Sequence, residues 1–183
     1  MAHIDLGNDD PGIRGLFRFR PETALPLNQL AEVLLRNDST LTRGERELIA
    51  TYVSSRNTCT FCTSSHAAFA AAQLDEGMEL VDQVREDPES APVSEKLRAL
   101  LRIAGAVQRG GLEVTEELVS QARAQGATDL EIHDTVLIAA AFCMFNRYVD
   151  GLGTWAPDDP AHYAERAART GGYVTVLTEA LSA

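Results

Sequence analysis

Two cysteines and a histidine are closely spaced in the stretch NTCTFCTSSHAAFAAA, which covers residues 57–72. Cys59 and Cys62 are three residues apart, and His66 follows four residues later. On a helix these spacings place the three side chains on one face, with neighbouring Cβ atoms roughly 5–6 Å apart. A cysteine beside a histidine at the start of a helix is a common form of activated sulfur. The pattern is compatible with a metal site, a structural disulfide or a reactive dithiol.

A metal site and a structural disulfide are the less favoured interpretations. A structural zinc site needs a fourth ligand, and Cys143 and His133 are the soft ligands left to complete one. Both lie in an apolar helical pattern, where we interpret Cys143 as a small core residue and His133 as a surface or capping residue. A disulfide that encloses two residues would constrain the unfolded chain very little. We therefore expect no metal and no cofactor, and we favour the reactive dithiol.

The residues around the dithiol suggest how its reactivity could be controlled. Cys59 is expected in the first turn of a helix, where unpaired N–H groups and the helix dipole favour a thiolate. His66 can share a proton with Cys62 or stabilise its thiolate. Glu47 belongs to the acidic stretch TRGERELIA on the preceding helix. Taken alone, Glu47 is more simply interpreted as a solvated carboxylate.

Composition and charge exclude several classes of partner. The 183-residue chain is long enough for one domain, and its formal net charge of −11 comes without a basic cluster. We therefore expect no nucleic-acid partner and no binding to an anionic membrane surface. The N-terminus carries acidic residues where a signal peptide is basic, and no apolar segment follows it. These features, with a cysteine count too low for a disulfide scaffold, predict a cytoplasmic location.

Helical periodicity and capping residues predict an all-α protein. Thr42 with Glu45, and Thr128 with Glu131, match the capping-box pattern at the start of a helix. The first 25 residues are interrupted by glycine and proline and are expected to form an N-terminal arm, with one helical domain over residues 26–183. The predicted helices cover residues 27–36, 42–56, 59–74, 77–85, 94–109, 115–125, 128–149, 160–169 and 173–181.

The stretch ERELIATYVSSRNTCTFCTSSH, residues 45–66, resembles the signature of the AhpD-like alkylhydroperoxidase and carboxymuconolactone decarboxylase superfamily. The peroxidase branch of that superfamily carries a glutamate twelve residues before a CxxC pair and a histidine four residues after it. In this chain the matching residues are Glu47, Cys59, Cys62 and His66.

Two further stretches extend the resemblance over most of the chain. The segment AAAFCMFNRYVDGLG, residues 139–153, is similar to the C-terminal helix of the superfamily. The segment GIRGLFRFRPETALPLNQLAEVLLR, residues 12–36, resembles the subgroup of peroxidase-related proteins. Asn146 and Arg147 could close the pocket or a subunit interface, and a helix-terminal cap with a surface residue is an equally good interpretation of this pair.

The resemblance implies a single-domain AhpD-like helical bundle that assembles into homo-oligomers and acts as a thiol-dependent peroxidase. It assigns peroxide attack to Cys62 and resolution to Cys59, whereas the helix-dipole argument favours Cys59 as the more acidic thiol. It assigns a proton relay to Glu47 and His66, and reduction of the disulfide to an external dithiol or reductase protein. The best-studied branch has a histidine immediately before the second cysteine, where this chain has Phe61.

Two alternative functions remain open at this point. The sister branch suggests a cofactor-free decarboxylase of a lactone acid, although that chemistry has no use for a dithiol. A non-enzymatic redox sensor would use the same disulfide to change an interface.

Overall fold

The computed structural model describes residues 2–169 and 172–173, and within these ranges the chain is helical with no β-strand. This confirms the predicted all-α class. The helices are α1 (Ile13–Phe19), α2 (Pro21–Arg36), α3 (Arg43–Arg56), α4 (Thr60–Ala71), α5 (Gly77–Glu86), α6 (Glu95–Arg109), α7 (Glu116–Ala124), α8 (Asp129–Gly151) and α9 (Pro160–Arg169), with a 3-10 turn at Gly111–Glu113. Most of the helix predicted over 173–181 lies outside the described residues.

Both predicted capping boxes are present. In α3 the Glu45 backbone N–H donates to Thr42 Oγ1 over 3.1 Å, while the Thr42 N–H donates to the Glu45 carboxylate over 2.8 Å. The same reciprocal pair joins Thr128 and Glu131 at the start of α8. These caps satisfy N–H groups that a helix cannot pair internally, so they fix where the two helices begin.

The N-terminal segment is more helical than the sequence pattern indicates. It contains α1, which was not predicted, and α2 begins at Pro21 rather than at residue 27. Proline suits the first turn of a helix because its missing N–H would have no partner there. Gly12 precedes α1 at φ 55°, and a Cβ atom at this position would lie 2.2 Å from the Phe61 ring. The segment therefore packs directly on α4.

Helix α3 lies at the centre of the bundle, in contact with α4, α6 and α8. Helices α5 and α9 flank α4, while α2 packs against α3 and α8. The main core contains the apolar stripe predicted for α3, and its four members are buried: Leu48, Ile49, Tyr52 and Val53. No helix in the described ranges is both long and apolar enough to cross a membrane.

The central position of α3 buries polar side chains as well as apolar ones. Arg46 is 3% exposed, and its Nη1 donates to the Leu34 carbonyl over 3.1 Å. Thr51 is fully buried and donates to the Glu47 carbonyl over 2.8 Å. Buried polar groups need such partners because each unpaired one costs about 1–3 kcal/mol. The buried polar residues of α3 therefore need hydrogen-bond partners within α3 or on the neighbouring segments.

A buried ion pair attaches the start of α8 to its neighbours. The Glu131 side chain is 1% exposed and accepts hydrogen bonds from Lys96 Nζ at 2.7 Å, the Thr128 N–H at 2.7 Å and Thr40 Oγ1 at 2.9 Å. Burial by itself would raise the pKa of Glu131, but these hydrogen bonds and the charge of Lys96 outweigh it and hold the pKa at about 2. The ionised carboxylate therefore stabilises the folded state.

We predict that Glu131→Gln reduces the acid sensitivity of folding. Because the pKa of Glu131 is lower in the folded chain than its ordinary value of 4.5, its contribution is complete above pH 4.5 and is lost as the pH falls towards 2. The wild type should lose about 2 kcal/mol of unfolding free energy between pH 7 and pH 3 that the variant does not lose. Urea denaturation at pH 7, 4.5 and 3 measures the difference.

The exposed Glu79 of α5 provides the control. Glu79→Gln should follow the wild-type pH dependence, and a Glu131→Gln curve parallel to the wild-type curve would contradict the assignment.

Candidate active site

The turn between α3 and α4 positions the first cysteine. Thr58 adopts φ 59°, a left-handed conformation that is uncommon for a β-branched residue and costs on the order of 1–3 kcal/mol. The chain then becomes extended at Cys59, whose N–H donates to the Ser54 carbonyl over 3.2 Å. Cys59 is therefore the N-cap residue of α4 and precedes its first turn.

A hydrogen-bond network between α3, α6 and α8 holds this turn. Asn57 donates to Asn146 Oδ1 over 2.8 Å, and Asn146 donates to Ser54 Oγ over 3.1 Å. Gln108 donates to Asn57 Oδ1 over 2.9 Å. Asn146 is 1% exposed, so its amide makes the hydrogen bonds to Asn57 and Ser54 that water would otherwise make. We infer that this network keeps Thr58 in its unfavourable conformation.

Arg147 has a different environment from its neighbour. Its side chain is exposed and donates to the Cys143 carbonyl within α8 over 2.9 Å. The described residues therefore give Asn146 a structural role in the bundle and place Arg147 on the surface. Neither residue lines the cleft described below.

The two thiols have different environments. Both are free, Cys59 is fully buried, and Cys62 is 4% exposed. A hydrogen bond to the Cys62 sulfur raises the pKa of the Cys59 thiol, and burial and the nearby Asp150 raise it further. The helix-dipole argument favours a lowered pKa for Cys59, whereas the thiol partner and burial raise it at this N-cap position.

Glu47 is fully buried and binds His66. Glu47 Oε2 lies 2.7 Å from His66 Nδ1, and the phenol of Tyr173 donates to Glu47 Oε1 over 2.5 Å. The solvated-carboxylate interpretation of Glu47 was therefore wrong. An ionised carboxylate only accepts hydrogen bonds, so with Glu47 ionised it is His66 Nδ1 that donates. The other ring nitrogen, Nε2, then has a lone pair that can accept a proton.

Tyr173 was not identified from the sequence. Its N–H donates to Glu32 over 2.6 Å, and the guanidinium of Arg36 lies 5.7 Å from its ring centre, so α2 holds it in place. Burial and the charge of Glu47 raise the pKa of Tyr173 well above its ordinary value, so the phenol remains a donor. Tyr173 is 126 residues from Glu47 in the chain, and no local sequence pattern connects the two.

A narrow cleft opens onto Cys62, with a cavity volume of about 90 Å³. Its reactive wall consists of Cys62, Ser65, His66 and Tyr173. The other lining residues are mainly apolar and include Ile13, Phe17, Phe61, Phe69, Phe142 and Phe145. His66 packs edge-on against Phe142, with ring centres 4.5 Å apart. Cys59 is not among the lining residues, so only one of the two thiols faces the cleft.

Ser65 is a second residue that the sequence analysis did not single out. It follows Cys62 by three residues and therefore shares its face of α4. Its hydroxyl is buried and has no hydrogen-bond partner among the residues that the structure describes. This leaves the hydroxyl available to a group that enters the cleft.

The other soft ligands considered from sequence lie elsewhere. His133 is exposed beside Asp134, and Cys143 Sγ accepts a weak hydrogen bond from Asn57 over 3.5 Å. Across residues 2–169 and 172–173, no group of three or more His, Cys, Asp or Glu side chains is arranged to hold a metal ion.

Comparison with known proteins finds a family model that matches part of the chain and solved structures with the same fold. A model described as the carboxymuconolactone decarboxylase family matches residues 21–83, the segment that contains the four residues Glu47, Cys59, Cys62 and His66. An uncharacterised peroxidase-related protein from Ralstonia eutropha, described as an alkylhydroperoxidase AhpD core, superposes with a TM-score of 0.75 at 27% identity. That match covers 84% of this chain and 79% of the other.

Two further solved structures have the same fold. A peroxidase-related protein from Silicibacter superposes with a TM-score of 0.75 at 26% identity, covering 89% of this chain and 80% of the other. A protein of unknown function from Agrobacterium tumefaciens gives a TM-score of 0.68 at 23% identity, over 79% of this chain and 97% of the other, which supports the fold alone. A comparison with curated proteins finds no match.

The chain has the AhpD-like fold, and its residues 21–83 match the carboxymuconolactone decarboxylase family. Its AhpD-like bundle brings Glu47 and His66 into contact and places the two cysteines beside each other. Phe61, at the position where the best-studied branch has a histidine, packs edge-on against Tyr163 with ring centres 6.2 Å apart. In this AhpD-like chain that position contributes an apolar wall to the cleft and no proton donor.

We predict that Asn146→Ala destabilises the bundle by about 1–3 kcal/mol, because Ser54 and Asn57 would lose their buried partner. The midpoint of urea denaturation measures this loss. Arg147→Ala on the same helix should change the unfolding free energy by less than about 0.5 kcal/mol, as is usual for an exposed side chain. Equal effects of the two substitutions would show that Asn146 does not hold the turn.

Proposed function

We propose that this protein is a thiol-dependent peroxidase that reduces hydroperoxides through a cycle between the Cys59/Cys62 dithiol and its disulfide. The observation that carries the proposal is the asymmetry of the thiol pair at the cleft. Cys62 faces the cleft beside His66, while Cys59 lies buried behind it with its thiol hydrogen-bonded to Cys62. A peroxidase that resolves its own sulfenic acid needs one accessible sulfur and a second sulfur within reach.

The first step oxidises Cys62. His66 accepts the Cys62 proton, either directly or through one water, and the thiolate attacks the terminal oxygen of the hydroperoxide. The O–O bond breaks, Cys62 becomes a sulfenic acid, and the leaving alkoxide takes the proton back from His66 to give an alcohol. Glu47 stabilises the transient imidazolium and keeps its Nδ1 proton in place, and Tyr173 orients Glu47 through the 2.5 Å hydrogen bond.

The second step forms the disulfide. The Cys59 sulfur attacks the Cys62 sulfenic acid, and the hydroxyl group leaves as water with the Cys59 proton. Two electrons from an external dithiol, either a small molecule or a reductase protein, then restore both thiols. The raised pKa of Cys59 favours this order, because Cys59 remains a protonated donor to Cys62 until the sulfenic acid has formed.

We predict that one equivalent of hydroperoxide produces an intramolecular Cys59–Cys62 disulfide and leaves Cys143 as a free thiol. Non-reducing peptide mapping by mass spectrometry identifies the linkage. In Cys59→Ser the reaction should stop at a sulfenic acid on Cys62, which dimedone labels.

Cys143→Ser serves as the matched control and should form the same disulfide as the wild type. A main disulfide that contains Cys143 would contradict the prediction. Preferential oxidation of Cys59 in the wild type would reverse the proposed roles of the two cysteines.

We predict that Glu47→Gln lowers peroxidase turnover by about 100-fold or more, the usual scale for a positioned acid or base. The amide can accept from Tyr173 and donate to His66 Nδ1, so the packing is kept. That donation requires the His66 proton to move to Nε2, and the ring then has no free lone pair for the Cys62 proton. Peroxide consumption with dithiothreitol as reductant measures turnover, and iodoacetamide labelling at pH 7 should show slower alkylation of Cys62.

Glu45→Gln is the matched control on the same helix. Glutamine is compatible with a capping box, so Glu45→Gln should retain the α3 cap and near-normal turnover. Circular dichroism and thermal melting establish that both variants fold. Equal turnover in the two variants would remove Glu47 from the proposed relay.

A further inference from the structure

Ser65 lies beside the reactive sulfur and has no part in the two proposed steps. It lines the cleft, follows Cys62 by three residues on α4, and is 7% exposed. Residues three apart on a helix have Cβ atoms roughly 5–6 Å apart, so a molecule that contacts the Cys62 sulfur also comes within reach of the Ser65 hydroxyl. The hydroxyl is therefore placed to contact a substrate.

The Ser65 hydroxyl lacks the partner that a hydroxyl in a helix usually has. A serine or threonine in a helix commonly donates to a backbone carbonyl one turn earlier. Thr51 and Ser55 on α3 do so, each over 2.8 Å. Ser65 Oγ is buried and makes no hydrogen bond with any residue that the structure describes. Because a buried unpaired hydroxyl destabilises the folded chain, this one calls for a partner that enters from the cleft.

The neighbouring donors of the reactive wall are engaged with the protein itself. The Tyr173 phenol donates to Glu47, and His66 Nδ1 faces the same carboxylate. In the proposed mechanism the other nitrogen of His66 takes up the Cys62 proton and later releases it. The Ser65 hydroxyl is left to bind the peroxide group, and a hydroxyl both donates and accepts hydrogen bonds, as a hydroperoxide does.

We propose that the Ser65 hydroxyl donates a hydrogen bond to the leaving oxygen of the hydroperoxide and so directs the O–O bond towards Cys62. This inference rests on the peroxidase function proposed above and adds a substrate-binding residue to it. The Cys62 thiolate supplies the electron pair that breaks the O–O bond, and the leaving oxygen takes its proton from His66. Ser65 keeps its own proton, and its hydrogen bond becomes stronger as negative charge develops on that oxygen.

Ser65→Ala removes the hydroxyl and tests the proposal. One equivalent of hydrogen peroxide or of tert-butyl hydroperoxide is mixed with the reduced protein, and mass spectrometry of quenched samples gives the second-order rate constant of oxidation. This rate constant should fall at least about tenfold, the scale of a lost hydrogen bond to a charged group. The loss should be similar for both peroxides, because both contain the O–O group that Ser65 binds. An unchanged rate constant would overturn the proposal.

Ser64→Ala is the matched control, because Ser64 precedes Ser65 on α4 and does not line the cleft. It should react with both peroxides at the wild-type rate. Iodoacetamide provides a second control, since it alkylates the same sulfur without breaking an O–O bond. Alkylation of Cys62 in Ser65→Ala should proceed at the wild-type rate. A parallel loss in alkylation would place the action of the hydroxyl on the sulfur, and the proposed contact with the peroxide would be wrong.

Thermal melting distinguishes a contact with substrate from a structural role. Ser65→Ala should melt at the wild-type temperature or above it, because alanine leaves no hydroxyl buried without a partner and favours the helix. A lower melting temperature would show that the hydroxyl stabilises the folded chain, which contradicts the proposal.

A binding experiment separates this inference from the peroxidase proposal. Cys62→Ala cannot form a sulfenic acid in the cleft, so saturation-transfer NMR measures the binding of tert-butyl hydroperoxide without turnover. Adding Ser65→Ala to this variant should weaken binding by about three- to tenfold, the scale of one neutral hydrogen bond. This loss of binding, together with a wild type that reduces no hydroperoxide, would contradict the peroxidase function alone. Equal binding by the two variants would overturn the role of Ser65 whatever the turnover.

Discussion

The Glu47 carboxylate is fully enclosed by protein. The arrangement of the surrounding segments depends on supplying it with hydrogen-bond donors. A buried carboxylate is stable only where hydrogen-bond donors replace the water that it has lost. His66 on α4 and Tyr173 near the C-terminus supply those donors at 2.7 and 2.5 Å. One carboxylate therefore links α3, α4 and a segment more than a hundred residues away. The same contacts fix which ring nitrogen of His66 faces Glu47 and which is left for the cleft.

The position of His66 also determines which sulfur is accessible. Because residues on one helix rotate together, fixing His66 on α4 turns Cys62 and Ser65 towards the cleft. At the other end of the same helix, the Asn57–Asn146 hydrogen bond and the left-handed Thr58 turn Cys59 into the interior. The different environments of the two thiols thus follow from how α4 is held at both ends, and not from their identical side chains.

Local sequence signals predicted the local structure well. The capping boxes at Thr42 and Thr128 gave two helix starts correctly, since a cap depends on residues only three positions apart. The Cys59, Cys62 and His66 cluster was likewise visible as a helical spacing. The burial of Glu47 was not, because an acidic residue on an amphipathic helix is normally solvated and only the family resemblance singled it out.

Other features of the site depend on contacts between distant segments. Tyr173 and the arginines of α1 reach the cleft through tertiary packing, which no periodicity in their own segments encodes. The left-handed Thr58 contradicts the preference of threonine, so the turn depends on the Asn146 network and cannot be deduced from residues 57–59 alone. The burial that raises the pKa of Cys59 was likewise not evident from the local sequence.

Phe61 bears on both the proposed chemistry and the lining of the cleft. A histidine at this position could carry a proton, whereas Phe61 packs on Tyr163 and beneath Gly12, and adds an aromatic face to the cleft. Under the proposed mechanism, proton transfer at Cys62 then depends on His66 and Glu47. The same wall favours a hydrocarbon chain over a small, strongly hydrated peroxide. In the proposed mechanism, phenylalanine beside Cys62 thus leaves proton transfer to His66 and Glu47 and adds apolar surface to the cleft.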